Sequence, residues 1–317
     1  MNKKGFIYVI TAGLIVSVLF LVFFFQEEVS YSEKKESELK RISIADDFVS
    51  TFNKDLERAL SIATFRSMLA LEDYVVDINA FLDDVEPYFI EVLENGTING
   101  TSYVIVENSS LKEYLRRVNL IAEDLGLIIN VSVNGVFLGH ADPWHLDVSV
   151  NASVMVFEKS ELAYWNFSRL YNSIVPIENL RDPFYSVNTG NKVINTIRQF
   201  EDELVVEGNI SNLLSFLEGS YYVESDSAPS FIQRFSNDLT PSEFGIESVV
   251  NILDISDQNL DTHPKRVKID YIYFNDLPVH DVRCKFQGVP DSFYLVLPNS
   301  SLELYQLTEL PSSDDCS

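Results

Sequence analysis

The side chains best suited to chemistry lie in one short segment, at His140, Asp142 and His145. Zinc and other divalent metals bind imidazole and carboxylate groups, so these three side chains form a candidate metal site. The spacing favours a different interpretation, because the Asp142-Pro143 pair is typical of a turn and places the two histidines on different strands. The stronger prediction is therefore a hairpin turn stiffened by Pro143 and Trp144, with no metal or other cofactor.

Sequence signatures of common enzymes are not found in the chain. It contains no GxSxG, HExxH, Walker A or GxGxxG motif, which removes the usual support for hydrolase, metalloprotease and nucleotide-dependent activities. His280 and Asp281 lie near Cys284 in the sequence. However, the sequence indicates no further residue that would complete a catalytic site with a cysteine nucleophile and a histidine base. We therefore predict a non-enzymatic protein. The alternative hypothesis is a membrane-anchored extracellular hydrolase with a metal site at the His140-Asp142-His145 turn.

The charge balance limits the possible partners. The 317 residues include 23 Lys+Arg and 48 Asp+Glu, which gives a net charge of −25. Nucleic acid is excluded as a partner, because phosphates require basic surfaces. Two cysteines are too few for a disulfide framework. Cys284 and Cys316 either pair in an oxidising exterior or remain free thiols.

An uncharged apolar run at residues 6–25 follows Lys3 and Lys4. Twenty helical residues span the bilayer hydrocarbon, so the run predicts a transmembrane helix with the lipid bilayer as its partner. A cleaved secretory signal is the competing interpretation, although its apolar region is normally shorter. By the positive-inside rule, residues 1–5 form a cytoplasmic tail and the bulk of the chain is extracellular, as in a single-pass protein of the cell membrane.

Asn-x-Ser/Thr sequons occur eight times, more often than the composition predicts by chance. They are candidate glycosylation sites on an exported surface, although a chain rich in Asn and Ser would also produce some of them. The candidates are Asn95, Asn99, Asn108, Asn130, Asn151, Asn166, Asn209 and Asn299.

The hydrophobic pattern predicts an α+β fold. The transmembrane helix continues into a helical stalk and further helices over residues 32–126, where apolar residues recur at steps of three and four. Residues 127–208 alternate apolar and polar side chains in three segments, which predicts an antiparallel sheet domain followed by a helix near residues 192–204. Residues 209–317 are predicted to form a smaller C-terminal unit that contains β-structure, with strands at residues 268–274, 281–286 and 292–298.

The N-terminal sequence MNKKGFIYVITAGLIVSVLF resembles the class III, or prepilin-type, signal of archaeal pilins and related surface proteins. The segments DPWHLDVSVNASVMV, IENLRDPFYSVNTG, APSFIQRFSND and GIESVVN are similar to uncharacterised archaeal membrane-anchored ectodomains. The resemblance implies cleavage between Gly5 and Phe6 by a membrane peptidase. Residues 6–10 lack the acidic or Gln residue that pilins often carry near this position.

These observations predict a membrane-anchored extracellular surface protein. A pilin-like, minor-pilin or adhesion role follows from the resemblance, with other pilin-like subunits or surface proteins as partners. Whether the aromatic residues Trp144, Trp165, Tyr164 and Tyr171 form a binding surface or fill the core of the sheet is left open, with core filling favoured by the strand-like alternation.

Overall fold

The computed structural model describes the backbone of residues 3–316 and the side chains of residues 11–25 and 34–316. Residues 1 and 2 of the predicted cytoplasmic tail, and the side chains of the processing residues Gly5 and Phe6, lie outside these described residues. Helices and antiparallel strands make up the described part, which confirms the α+β class. Among the described residues, no helix combines the length and the apolar character needed to cross a membrane.

The helices are α1 (Lys3–Ile78), α2 (Val85–Asn95), α3 (Leu111–Asp124), α4 (Pro183–Asn188), α5 (Ser211–Gly219), α6 (Phe231–Arg234), α7 (Ile252–Asp257) and α8 (Asp270–Asn275). The strands are β1 (Thr97–Ile98), β2 (Thr101–Ser102), β3 (Leu127–Asp142), β4 (His145–Glu158), β5 (Tyr164–Pro176), β6 (Tyr222–Glu224), β7 (Ile246–Ser248), β8 (Val282–Cys284) and β9 (Val296–Pro298).

The predicted helical region begins with a single helix, α1, of 76 residues. Asn79, which follows it, adopts the left-handed conformation at φ 47°, a conformation that Asn tolerates better than most residues. The next helix, α2, begins where the Asp84 side chain accepts a hydrogen bond from the Glu86 N–H, and it ends at Gly96 with φ 74°.

The three long strands form one sheet in the order β3-β4-β5. Short connections between consecutive strands make it an antiparallel meander, as the alternating pattern predicted. On β4 every second residue is buried from Leu146 to Glu158, so one face of this strand is covered and the other is partly or fully exposed.

The chain divides into two compact units, and each is assembled from separated segments. Unit 1 comprises residues 1–55, 116–132 and 153–169, and unit 2 comprises residues 56–115, 133–152 and 170–317. The predicted blocks 32–126, 127–208 and 209–317 are instead contiguous in sequence. In unit 1, Arg41 of α1 forms an ion pair with the buried Glu158 at the end of β4 and donates a hydrogen bond to Ser160.

Unit 2 differs from the sequence prediction at two places. The helix expected near residues 192–204 is an irregular segment, because its backbone bonds to other parts of the chain: the Ile197 N–H donates to Leu180, and the Phe200 N–H donates to Tyr222. The strand expected at residues 268–274 is mainly the short helix α8, whose residues Asp270–Tyr273 are all buried. Burial on every side removes the periodicity from which a strand and a helix can be distinguished.

A buried ionic cluster lies at the centre of unit 2. Arg234 is fully buried, and its Nη1 lies 2.6 Å from Asp182 Oδ2 and 2.8 Å from Asp270 Oδ2. Tyr222 donates its hydroxyl to Asp182 at 2.7 Å, and the Ser248 hydroxyl and N–H both donate to Asp270. Two carboxylates around one guanidinium raise the pKa of Arg234 despite its burial. Burial raises the pKa of Asp182, although Arg234 counteracts this.

We expect Arg234→Met to destabilise unit 2 by about 3–5 kcal/mol, because it leaves two buried carboxylates without a cation. Urea denaturation of the full chain in detergent measures the loss. Arg66→Met, at an exposed position of the same unit, is the matched control and should change stability by less than about 0.5 kcal/mol. Similar losses in both variants would contradict a central role for the cluster.

A second buried carboxyl makes the stability of unit 2 dependent on pH. Glu72 of α1 is 2% exposed and accepts a hydrogen bond from the Arg181 N–H at 2.9 Å. Burial raises the pKa of Glu72 from 4.5 to about 8, and the bond from Arg181 only partly offsets this. Because the folded state holds this proton more tightly than the unfolded state, the contribution of Glu72 to stability is greatest below pH 4.5 and is lost as the pH rises to about 8.

Glu72→Gln should remove this loss, because the amide mimics the protonated acid. Relative to the unmodified protein, the variant should gain more than about 1 kcal/mol of unfolding free energy between pH 5 and pH 8, since one pKa unit is worth about 1.4 kcal/mol. Denaturation curves at several pH values measure this difference. Glu107→Gln, at an exposed position, should show no such gain. A pH-independent difference for Glu72→Gln would contradict the assignment.

Candidate functional site

The segment that carries His140, Asp142 and His145 forms the β3-β4 hairpin turn. Asp142 accepts hydrogen bonds from the Trp144 N–H and from His145 Nδ1, both at 2.8 Å. Burial acts to raise the pKa of Asp142, but the hydrogen bonds from His145 and Trp144 lower it. His140 instead stacks on Phe244, with ring centroids 5.6 Å apart, and burial lowers the pKa of His140 to about 4.

The candidate metal site therefore gains no support from the geometry. Within the described residues, no three His, Cys, Asp or Glu side chains converge in an arrangement that could hold a metal ion. Asp142 and His145 stabilise the turn, while the imidazole of His140 is neutral near pH 7 and packs against an aromatic ring. This geometry is that of the predicted hairpin turn.

Other residues singled out in the sequence are exposed or cross-linked. The side chains of all eight sequon asparagines are exposed: Asn95, Asn99, Asn108, Asn130, Asn151, Asn166, Asn209 and Asn299. Cys284 and Cys316 form a disulfide, with Cα atoms 5.7 Å apart. The sequence left open whether four aromatic residues form a binding surface or fill the core. Of these, Tyr171 is fully buried and Tyr164 is exposed, while Trp144 lines a groove.

This groove, which we call the aromatic–acidic groove, begins at the hairpin turn and has a volume of about 450 Å³. That volume lies within the range of small-ligand sites. Three aromatic side chains and three carboxylates line it, together with a histidine and other residues. The aromatic members are Trp144, Phe200 and Tyr221, and the carboxylates are Glu178, Glu201 and Asp202. All of them belong to unit 2.

Backbone hydrogen bonds hold the walls of the groove in place. The Ile177 N–H donates to the Trp144 carbonyl at 3.0 Å, which ties the segment after β5 to the hairpin turn. The Phe200 N–H donates to the Tyr222 carbonyl at 2.9 Å, and the Tyr222 N–H donates to the Arg198 carbonyl at the same distance. The groove-forming segment is thus paired with the residue whose hydroxyl contacts the buried ionic cluster.

Asp182 connects the cluster to the same wall through its backbone. Its N–H donates to the Asn195 carbonyl at 2.8 Å, while its side chain pairs with Arg234. The Asn195 amide in turn donates to the Ser220 carbonyl and to the Tyr222 hydroxyl, both at 3.0 Å. The buried cluster, which is closed to solvent, therefore supports the groove and does not itself offer a ligand site.

Aromatic faces beside carboxylates attract organic cations. The ring face carries negative charge density, and the exposed carboxylates of Glu178, Glu201 and Asp202 add full negative charge beside it. The protein already contains such a contact, because the Arg198 guanidinium lies 4.7 Å from the centroid of the Tyr221 ring. Ammonium and guanidinium groups are accordingly the chemistry that this groove fits.

Sequence reasoning missed most of this site. It associated Trp144 with the hairpin turn and left open whether this residue forms a binding surface or fills the core. It placed Phe200, Glu201 and Asp202 on a predicted helix. The one available signal was the aromatic residue followed directly by an acidic run, FEDE. The approach of Tyr221 and Glu178 to this run arises from long-range pairing and has no signature in the sequence.

No known protein family, characterised protein or solved structure matches this chain.

Proposed function

We propose that the chain is a non-enzymatic cell-surface protein, anchored in the membrane by residues 6–25, whose extracellular body binds cationic groups in the aromatic–acidic groove. The groove is the observation that carries the binding function, because it combines three aromatic side chains with three carboxylates. A partner surface protein that presents Lys or Arg side chains fits this chemistry. Such binding suits the adhesion or pilin-like role that the N-terminal resemblance suggests.

The membrane anchor rests on the sequence and on exposed apolar side chains. Residues 6–25 contain no charged side chain. Within this run, Leu14, Phe20 and Phe25 are each more than 60% exposed. Apolar surface of this kind requires a cover, and lipid is the cover expected beside the basic residues Lys3 and Lys4.

The binding function is tested with an oligoarginine peptide and an oligocitrulline peptide of equal length, which has the same shape without the charge. We expect the full chain in detergent to bind oligoarginine and to show little affinity for oligocitrulline. Trp144→Ala should weaken binding of oligoarginine about three- to tenfold, the range expected for a cation–π contact. Isothermal titration calorimetry gives the affinities.

Matched variants separate the groove from the general negative charge of the chain. Glu201→Gln should weaken oligoarginine binding, whereas Glu203→Gln, which removes the same charge at an exposed position nearby, should not. Trp165→Ala is the control for loss of a tryptophan, because Trp165 lies on β5 in unit 1. Equal losses in the Glu201 and Glu203 variants, or equal affinity for both peptides, would refute binding in the groove.

The location is tested on protein isolated from its native cells. We expect it to fractionate with the membrane, to be digested by protease added to intact cells, and to yield glycopeptides that contain sequons such as Asn95 and Asn299. Mass spectrometry of the same material identifies the mature N-terminus. A start at Phe6 would favour a filament subunit, and an intact start would favour a simple anchor. Recovery from the cytosol without glycans would refute both.

A further inference from the structure

A second pocket lies in unit 2, among residues that the proposed function does not use. It has a volume of about 480 Å³ and mainly apolar walls. The lining includes Phe286, Val289, Leu295 and the Cys284–Cys316 disulfide. A space of this size with mainly apolar walls and few polar groups is typical of small-molecule sites.

The wall of this pocket carries more positive than negative side chains, whereas the whole protein has a net negative charge. Lys265 and Lys285 line it together with one acidic residue, Asp291, although acidic residues outnumber basic ones by 48 to 23 in the chain. Lys285 and a further wall residue, Tyr294, project from left-handed backbone, with φ values of 54° and 45°. This conformation is costly for long or bulky side chains and is often retained at sites of function.

One wall of the pocket is held by a buried ammonium group. The Lys268 side chain donates three hydrogen bonds, to the carbonyls of His263, Pro264 and Arg266, at 3.0, 3.0 and 2.7 Å. These bonds fix the loop that carries Lys265. Because the wall is ordered before a ligand arrives, little further ordering is required on binding.

The part of the pocket wall at Cys284 and Cys316 is held by the C-terminal segment. Cys284 and Ser313 exchange backbone hydrogen bonds of 2.9 and 2.8 Å, and the disulfide joins Cys284 to Cys316. The Gln287 N–H also donates to the Pro311 carbonyl at 2.9 Å. The disulfide therefore retains the chain end that completes the pocket.

We propose that this pocket binds a small amphipathic anion, with its apolar body against Phe286, Val289 and Leu295 and its acidic group reached by the amines of Lys265 and Lys285. An aromatic or short aliphatic carboxylate has this chemistry. The site is separate from the aromatic–acidic groove, which has the opposite charge, and neither proposal depends on the other.

The test compares phenylbutyrate with phenylbutyramide, which has the same apolar body without the charge. We expect the full chain in lipid nanodiscs to bind the carboxylate about tenfold more tightly than the amide, with empty nanodiscs as the blank. The paired variant Lys265→Met and Lys285→Met should abolish this preference, because methionine keeps the apolar stem and removes the charge. Lys112→Met with Lys192→Met, at two exposed positions, changes the net charge equally and should preserve it.

A further variant tests the cavity itself. Val289→Trp places an indole in the pocket and should weaken binding of both compounds more than tenfold, with folding confirmed by circular dichroism. Reduction and alkylation of Cys284 and Cys316 should also weaken both, because the C-terminal wall is released. Absence of binding to the unmodified chain, or affinities unchanged by the paired lysine variant and by Val289→Trp, would overturn the proposal.

Discussion

The central constraint on unit 2 is a positive charge that has no access to water. Arg234 is fully buried, so its guanidinium must be neutralised by Asp182 at the start of α4 and by Asp270 on α8. Both are helices of six residues, which are too short to be stable alone. Their positions therefore follow from the need to surround one cation, and the aromatic faces of Phe184 and Tyr222 cover it further, with ring centroids 4.8 and 5.6 Å away.

The geometry of the aromatic–acidic groove depends on that cluster. Asp182 and Tyr222 each use a side chain inside the cluster and a backbone group in the wall of the groove. The second pocket is held differently, by a disulfide and by the ammonium group of Lys268. In both places an irregular backbone is fixed by specific polar contacts, which suits sites that require preorganised side chains.

Elements with strong periodicity were predictable from the sequence. The strands β3, β4 and β5 follow the alternating pattern, and α3 follows its apolar repeat. Burial alternates along the whole of β4, but on β3 only Leu127 and Ile129 are buried. The segment 192–204 and the helix α8 were predicted wrongly. Their conformations depend on hydrogen bonds to distant residues and on burial from several sides, and neither leaves a periodic signal.

The sequence alone determined the α+β class, the long apolar N-terminal run, the negative charge and the turn at Asp142-Pro143, since composition and local spacing are sufficient for each of these features. Tertiary structure alone decided which side chains meet. The three aromatic and three acidic residues of the groove come from segments separated by as many as 77 positions, from Trp144 to Tyr221. Such encounters depend on how the chain packs around Arg234, and that packing is a property of the whole unit that no local pattern encodes.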